Sequence, residues 1–241
     1  MSGDNPSDSS HRSRRFVLGA LPVVALAAAA CNSSEPAHSV DEVRADAGPA
    51  PRPATPDEAI EMLMKGNNRF AARRPQIRDT ADIEVLWTEI SNGQQPFATV
   101  LSCADSRLAP ELIFDQFVGD IFVVREAGNI AVSPTNVGSL EFGCVALKSK
   151  AILVLGHSSC GAVKSAWENG TPGGNIQAII DAIKPGIAGA RDVDDAITRN
   201  VQAVIAHIRK TSPLLTDAEA SGALKIVGAV YDIKSAAVRL L

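Results

Sequence analysis

Basic residues are not in excess: 23 Lys and Arg stand against 27 Asp and Glu, for a formal net charge of −4 and a pI near 5.6. That balance argues against a nucleic-acid partner, whose phosphates call for a basic face. Aromatic residues are scarce, at 4% of the chain. No apolar run reaches the ~20 residues of a spanning helix; the longest, Phe16–Ala30, is shorter and carries Pro22. There is no internal repeat, and the glycines show no phosphate-loop pattern. Cysteine and histidine occur four times each, few enough to weigh one by one. What is present is a chain of 241 residues, 46% hydrophobic and 21% charged. That composition is globular, and the length suits one good-sized domain with attachments.

The first 31 residues read as an export signal rather than as part of the fold. In "SRRFVLGALPVVALAAAAC" (Ser13 to Cys31) a basic start precedes an apolar run that ends in small residues, the layout of a segment removed on export. Arg14–Arg15 resembles a twin-arginine signal, whose route carries folded proteins. Ala29-Ala30-Cys31 resembles the end of a lipobox, although Ala28 stands where Leu is usual. Cys31 is therefore either a lipidated first residue or a neighbour of simple cleavage. The chain is expected in the periplasm or anchored at the cell surface, with no other membrane contact. Residues 32–55, rich in Pro, Ala, Ser and charge, read as a disordered linker. The folded unit is expected over 56–241.

Within that unit the pattern is α/β. Thr55 and Asp57 are candidate N-caps for a helix beginning at Pro56, and "TADIEVLWTEISNG" gives a second helix ending at Gly93. "PFATVLS" (96–102), "DIFVVRE" (120–126), "KAILVLG" (150–156) and "LKIVGAVYD" (224–232) are short β-rich runs separated by loop or helix patterns. Further helices are expected over 133–149, from "NIQAIIDAIKPGI" and from "DVDDAITRNVQAVIAHIRK". Runs apolar on both faces with helices between them predict a mostly parallel central sheet flanked by helices. Ligands in such sheets collect at the C-terminal strand ends, where Cys103 and His157 fall.

Cys31 belongs to the signal, and Cys144 lies on the apolar face of a helical pattern, where a buried free thiol is ordinary core. Cys103 and Cys160 remain. In an exported chain they could form a disulfide. A metal site accounts for more residues, since His157-Ser158-Ser159-Cys160 offers an imidazole and a thiolate three positions apart and Cys103 supplies a third donor. Two sulfurs and an imidazole suit zinc. Three protein ligands leave a fourth position, the arrangement of a catalytic rather than a closed structural site. Asp105 is the natural occupant or regulator of that position. Arg107, two residues on, can hold its carboxylate bidentately; away from a metal the same pair would be worth little. If Asp105 turns to Arg107, water can take the vacancy, and zinc lowers its pKa to as low as about 7.

These residues resemble the β-class carbonic anhydrases over most of 56–241. The resemblance rests on "CADSR" (103–107), "VVREAGNI" (123–130), "SLEFG" (139–143), "GHSSCGAV" (156–163) and "GAVYDIKSAAV" (228–238). It implies reversible hydration of carbon dioxide to bicarbonate and a proton by zinc-hydroxide attack, with one Zn²⁺ per chain on Cys103, His157 and Cys160. Asp105 is then either the fourth ligand or the partner of Arg107. The resemblance also implies a homodimer or dimer-based tetramer, with the helices of 56–92 as an arm embracing the partner. Gln94 matches a substrate-donating glutamine, and Phe122 and Ala127 match apolar pocket positions.

Three residues depart from the family pattern. Glu126 replaces a frequent Asn, Phe142 a frequent Tyr, and Val100 a Trp that serves an inhibitory bicarbonate site in some members. His207 reads as a packed or surface helix residue, while His11 and His38 lie in the signal and the linker. Two alternatives keep parts of this site: carbonyl sulfide or carbon disulfide hydrolysis, and a non-catalytic zinc or redox-sensing module. Asp105, Arg107 and Gln94 argue against the second alternative, since zinc storage needs none of them.

Overall fold

The computed structural model describes residues 52–76, 84, 87–88 and 90–241. The export signal with Cys31, His11 and His38, almost all of the linker and half of the second expected helix lie outside the described residues. No helix among the described residues is long and apolar enough to cross a membrane.

Four strands, β1 (Ala98–Ser102), β2 (Ile121–Arg125), β3 (Ala151–His157) and β4 (Lys225–Tyr231), run parallel, and a short β5 (Val238–Leu240) closes the edge antiparallel. Their order is β2-β1-β3-β4-β5. The four expected runs form the four parallel strands, each beginning or ending within two residues of its expected limits. Every residue of β1 and β3 is buried, as central strands covered on both faces require. In this order Cys103 leaves β1 and His157 ends β3 on adjacent strands, both at C-terminal ends.

Helix α1 (Pro56–Ala71) opens with a capping box: the Thr55 hydroxyl accepts from the Glu58 N–H, and Glu58 accepts from the Thr55 N–H. The short α2 (Pro110–Ile113) follows β1, and α3 (Pro134–Glu141) follows β2. The helix expected over 133–149 continues past α3 only as a π turn over Phe142–Ala146. There the Cys144 thiol sits within reach of the Ser149 hydroxyl (3.4 Å) and the Thr99 hydroxyl (3.7 Å). Cys144 is thus core, as expected, and burial pushes its thiol pKa up. Helices α4 (Gly161–Trp167), α5 (Gly174–Ile183), α6 (Val193–Thr211) and α7 (Pro213–Ala220) complete the layers.

Helix α1, expected as part of an arm, packs against its own chain. Ala59 and Leu63 are wholly buried, and a Cβ on Gly66 would fall 1.7 Å from the Phe114 carbonyl oxygen, so only glycine fits there. Asn67, 1% exposed, donates to the Ile113 and Ala236 carbonyls at 3.1 and 3.0 Å and accepts from the Val238 N–H at 2.7 Å. One amide therefore ties α1 to α2 and to the start of β5. Asn67→Ala leaves three buried backbone groups without a partner and should lower the unfolding free energy by about 2–4 kcal/mol. Urea denaturation checks this; a loss below about 1 kcal/mol would show that the latch contributes little.

Candidate metal centre

Cys103, His157 and Cys160 converge. One donor atom from each lies within 4.8 Å of the other two, and all three residues are buried. Cys103, Cys144 and Cys160 are free thiols, so the structure takes the metal-site arrangement rather than the disulfide. Nδ1 of His157 lies 3.0 Å from the Ser158 carbonyl, which fixes the tautomer with the proton on Nδ1. Nε2 is fully buried and has no hydrogen-bond partner among the described residues. An orphaned imidazole nitrogen is costly in a core, and a cation between the sulfurs would satisfy it. Soft sulfur with imidazole is the donor set of zinc, and bonds of about 2.3 Å to S and 2.0–2.1 Å to N need only a small closure of the observed cluster.

The surrounding peptide groups already favour thiolates. Cys103 Sγ is within reach of the Cys160 thiol, of His157 and of the Gly128 N–H at 3.2 Å. These contacts, the first above all, hold its thiol down to about 4 against the cost of burial. The two sulfurs oppose one another in losing their protons. The charge on Cys103, with burial, therefore pushes Cys160 up, while the Val163 and Ala162 N–H groups at the start of α4 pull the other way. A divalent cation removes the conflict, because coordination deprotonates a thiol outright.

Asp105 borders the cluster, with Oδ2 4.0 Å from His157 Nε2. Its carboxylate is gripped bidentately by Arg107, Nε to Oδ1 at 2.9 Å and Nη2 to Oδ2 at 2.7 Å, and accepts the Arg107 N–H at 3.0 Å. Arg107 also donates to the Ser159 carbonyl at 3.4 Å, so one guanidinium spans both ligand-bearing loops. It holds the Asp105 carboxyl well below the usual carboxylate range. Sequence reasoning placed these five residues together, and the structure does so.

Residues 98–238 match the family model described as carbonic anhydrase. Carbonic anhydrase 2 of Mycobacterium tuberculosis is 38% identical over 187 residues, 74% of this chain and 89% of that protein. The carbonic anhydrase of Mycolicibacterium smegmatis is 36% identical over 196 residues, 78% of this chain and 94% of that one. Among solved structures, the Coccomyxa β-carbonic anhydrase in complex with acetazolamide matches with a TM-score of 0.60 and 26% identity, over 74% of this chain and 84% of that one. The chain belongs to the β-carbonic anhydrase family.

Other expected positions of this carbonic anhydrase divide by place. Ala127 begins the turn Ala127–Asn129 beside Cys103. Gln94 does not reach the cluster of its own chain: it is exposed, four residues before β1, whereas Cys103 follows the other end. The five residues of β1 alone separate them by about 16 Å. Phe122 lies one residue into β2, level with Thr99, and its ring meets Phe142 at 6.1 Å between centroids. Glu126 turns to Asn136 on α3, accepting its amide at 3.5 Å, and Val100 is wholly buried strand core. His207 is a half-buried residue of α6.

Three supporting residues were missed from sequence. Arg125, ending β2, donates to the Cys103 carbonyl at 3.2 Å and the Asp105 carbonyl at 2.7 Å. Ser158 donates its N–H to the Tyr231 carbonyl at 2.9 Å and accepts the Ile233 N–H at 3.0 Å, pinning the His157–Cys160 loop to the chain after β4. Asn200 reaches the turn at Gly128 from α6. An ordinary Arg, Ser or Asn gives no local signal of such a distant backbone partner.

Arg107→Gln should return the Asp105 carboxyl upward to the usual ~3.9, read by carboxyl-carbon NMR titration of the metal-free protein. The depressed value contributes stability above the unfolded pKa and loses it as pH falls through the folded one. Wild type and variant should thus differ most above about pH 4 and converge in stronger acid. An unmoved titration would show that Arg107 is not what holds Asp105 ionised.

Proposed function

We propose that the chain catalyses the reversible hydration of carbon dioxide to bicarbonate and a proton at one zinc ion held by Cys103, His157 and Cys160. The observation that carries this reading is the convergence of two free buried thiols and one partnerless buried imidazole nitrogen within 4.8 Å. Bound there, zinc supplies the Lewis acidity that makes water a nucleophile near neutral pH without a histidine base.

The chain's own groups do the rest. Asp105, kept ionised by Arg107, is an acceptor across the physiological range. Its Oδ2, at the border of the donor triangle, accepts a hydrogen bond from the incoming water and aims the oxygen lone pair at carbon. The new O–C bond forms as one C=O π pair moves onto oxygen, and the surplus proton leaves to solvent. Ala127 gives that space an apolar wall, suited to a substrate without charge.

Gln94 and Phe122 lie away from their own chain's cluster, so we place their substrate contacts on a second copy. The working unit is then a homodimer, or a tetramer of such dimers, in which each site borrows a donor from its partner. The segment Ser13–Cys31 supports export, to the cell surface where Cys31 is lipidated and to the periplasm where the signal is simply cleaved.

Zinc content per chain and stopped-flow carbon dioxide hydration test this reading together. One zinc per chain with hydration activity is expected; bound zinc without activity at pH 8–9 would overturn the substrate assignment. Cys160→Ser should lose both metal and activity, and stoichiometric zinc in that variant would contradict the ligand assignment. Gln94→Ala should keep its zinc while kcat/KM falls about tenfold or more, as removal of one positioned donor does. Mixing Gln94→Ala with Cys160→Ser chains should restore activity in heterodimers only if Gln94 acts across the interface.

A further inference from the structure

Helix α6 turns a buried face to the sheet through Ala196, Ile197, Val201, Val204, Ile205 and Ile208. Asn200 interrupts that apolar surface and is 2% exposed. A buried amide is costly unless bonded, and this one has a specific use: Nδ2 donates to the Gly128 carbonyl at 2.8 Å. The N–H of the same glycine donates to Cys103 Sγ at 3.2 Å. Gly128 has φ +73, and a Cβ there would meet Ile183 Cδ1 at 2.7 Å and Ala162 Cβ at 3.4 Å. The turn is therefore held by packing on one side, by the Asn129 N–H bond to the Glu126 carbonyl at 2.8 Å, and by the Asn200 side chain on its Gly128 carbonyl.

We propose that Asn200 is a positioning residue for the metal centre, acting on the Cys103 sulfur through the backbone on both sides of the Gly128 Cα. This rests on the reading of Cys103, His157 and Cys160 as zinc donors. By fixing the Gly128 carbonyl, Asn200 fixes the torsions that aim the Gly128 N–H at Sγ. That N–H draws charge from the thiolate and orients its remaining lone pairs. Loss of the clamp leaves a buried carbonyl unsatisfied and the amide free to turn from the sulfur. Such outer partners typically change metal affinity 10- to 100-fold.

The test uses Asn200→Ala and Asn200→Leu, the second retaining side-chain bulk without a donor. Zinc dissociation constants are read by competition with a chromophoric chelator, and the sulfur-to-metal charge-transfer band by exchange of cobalt for zinc. In both variants the dissociation constant should rise about tenfold or more and the band should shift. A role limited to packing would be relieved in Asn200→Leu. It would lower the unfolding temperature of metal-free and loaded protein alike while zinc affinity stayed within twofold, and that result overturns the proposal. Should neither variant fold, the wild type carries the test. In the cadmium-exchanged protein the Gly128 amide proton should show scalar coupling to ¹¹³Cd through the sulfur, and its absence overturns the proposal. A wild type that takes up no zinc would overturn the metal-centre reading itself. Normal wild-type zinc with unaltered Asn200 variants overturns this inference alone.

Discussion

Burial of negative sulfur beneath a protein surface is the constraint that organises this molecule. A thiolate out of water needs a cation, amide donors or both. The fold supplies the amides from three places: the turn after β2, the loop after β1 and the first turn of α4. The parallel sheet follows from the same need, because only adjacent parallel strands deliver the ends of β1 and β3 to one spot with their loops on the same side.

Charge is graded outward from that spot. The imidazole is fully buried, Asp105 is mostly covered, and Arg107 is half exposed. The guanidinium keeps most of its hydration while confining a carboxylate beside the donor cluster. A surface pair of this kind is ordinarily worth little. Here its value lies in deciding where a carboxylate points, and in linking through Ser159 two loops that are remote in sequence.

Much of this was legible from the chain alone, for local reasons. Apolar runs of strand length, flanked by helix patterns, marked all four parallel strands, and Cys103, Asp105, Arg107, His157 and Cys160 sit in two compact clusters. What escaped has non-local causes. The three-residue β5 has two exposed positions and lacks the apolar run of its neighbours. The helical periodicity of 133–149 persists through a change of winding at Phe142, since apolar spacing does not report hydrogen-bond register. Arg125 and Asn200 act on backbone 20 to 72 residues away, and no spacing rule reaches that far. For Gln94 and Phe122 the family resemblance carried a role, and the fold then placed Gln94 before the start of β1 and Phe122 level with Thr99.

The separation of the parts along the chain also orders their appearance during synthesis. A ribosome delivers Cys103 first, the His157–Cys160 loop some fifty residues later, and the α6 residue that braces Gly128 another forty after that. No stretch of nascent chain short of about residue 200 holds the whole pocket. An ion held by all three donors would therefore enter late in biogenesis, once the ends of β1 and β3 had been brought together.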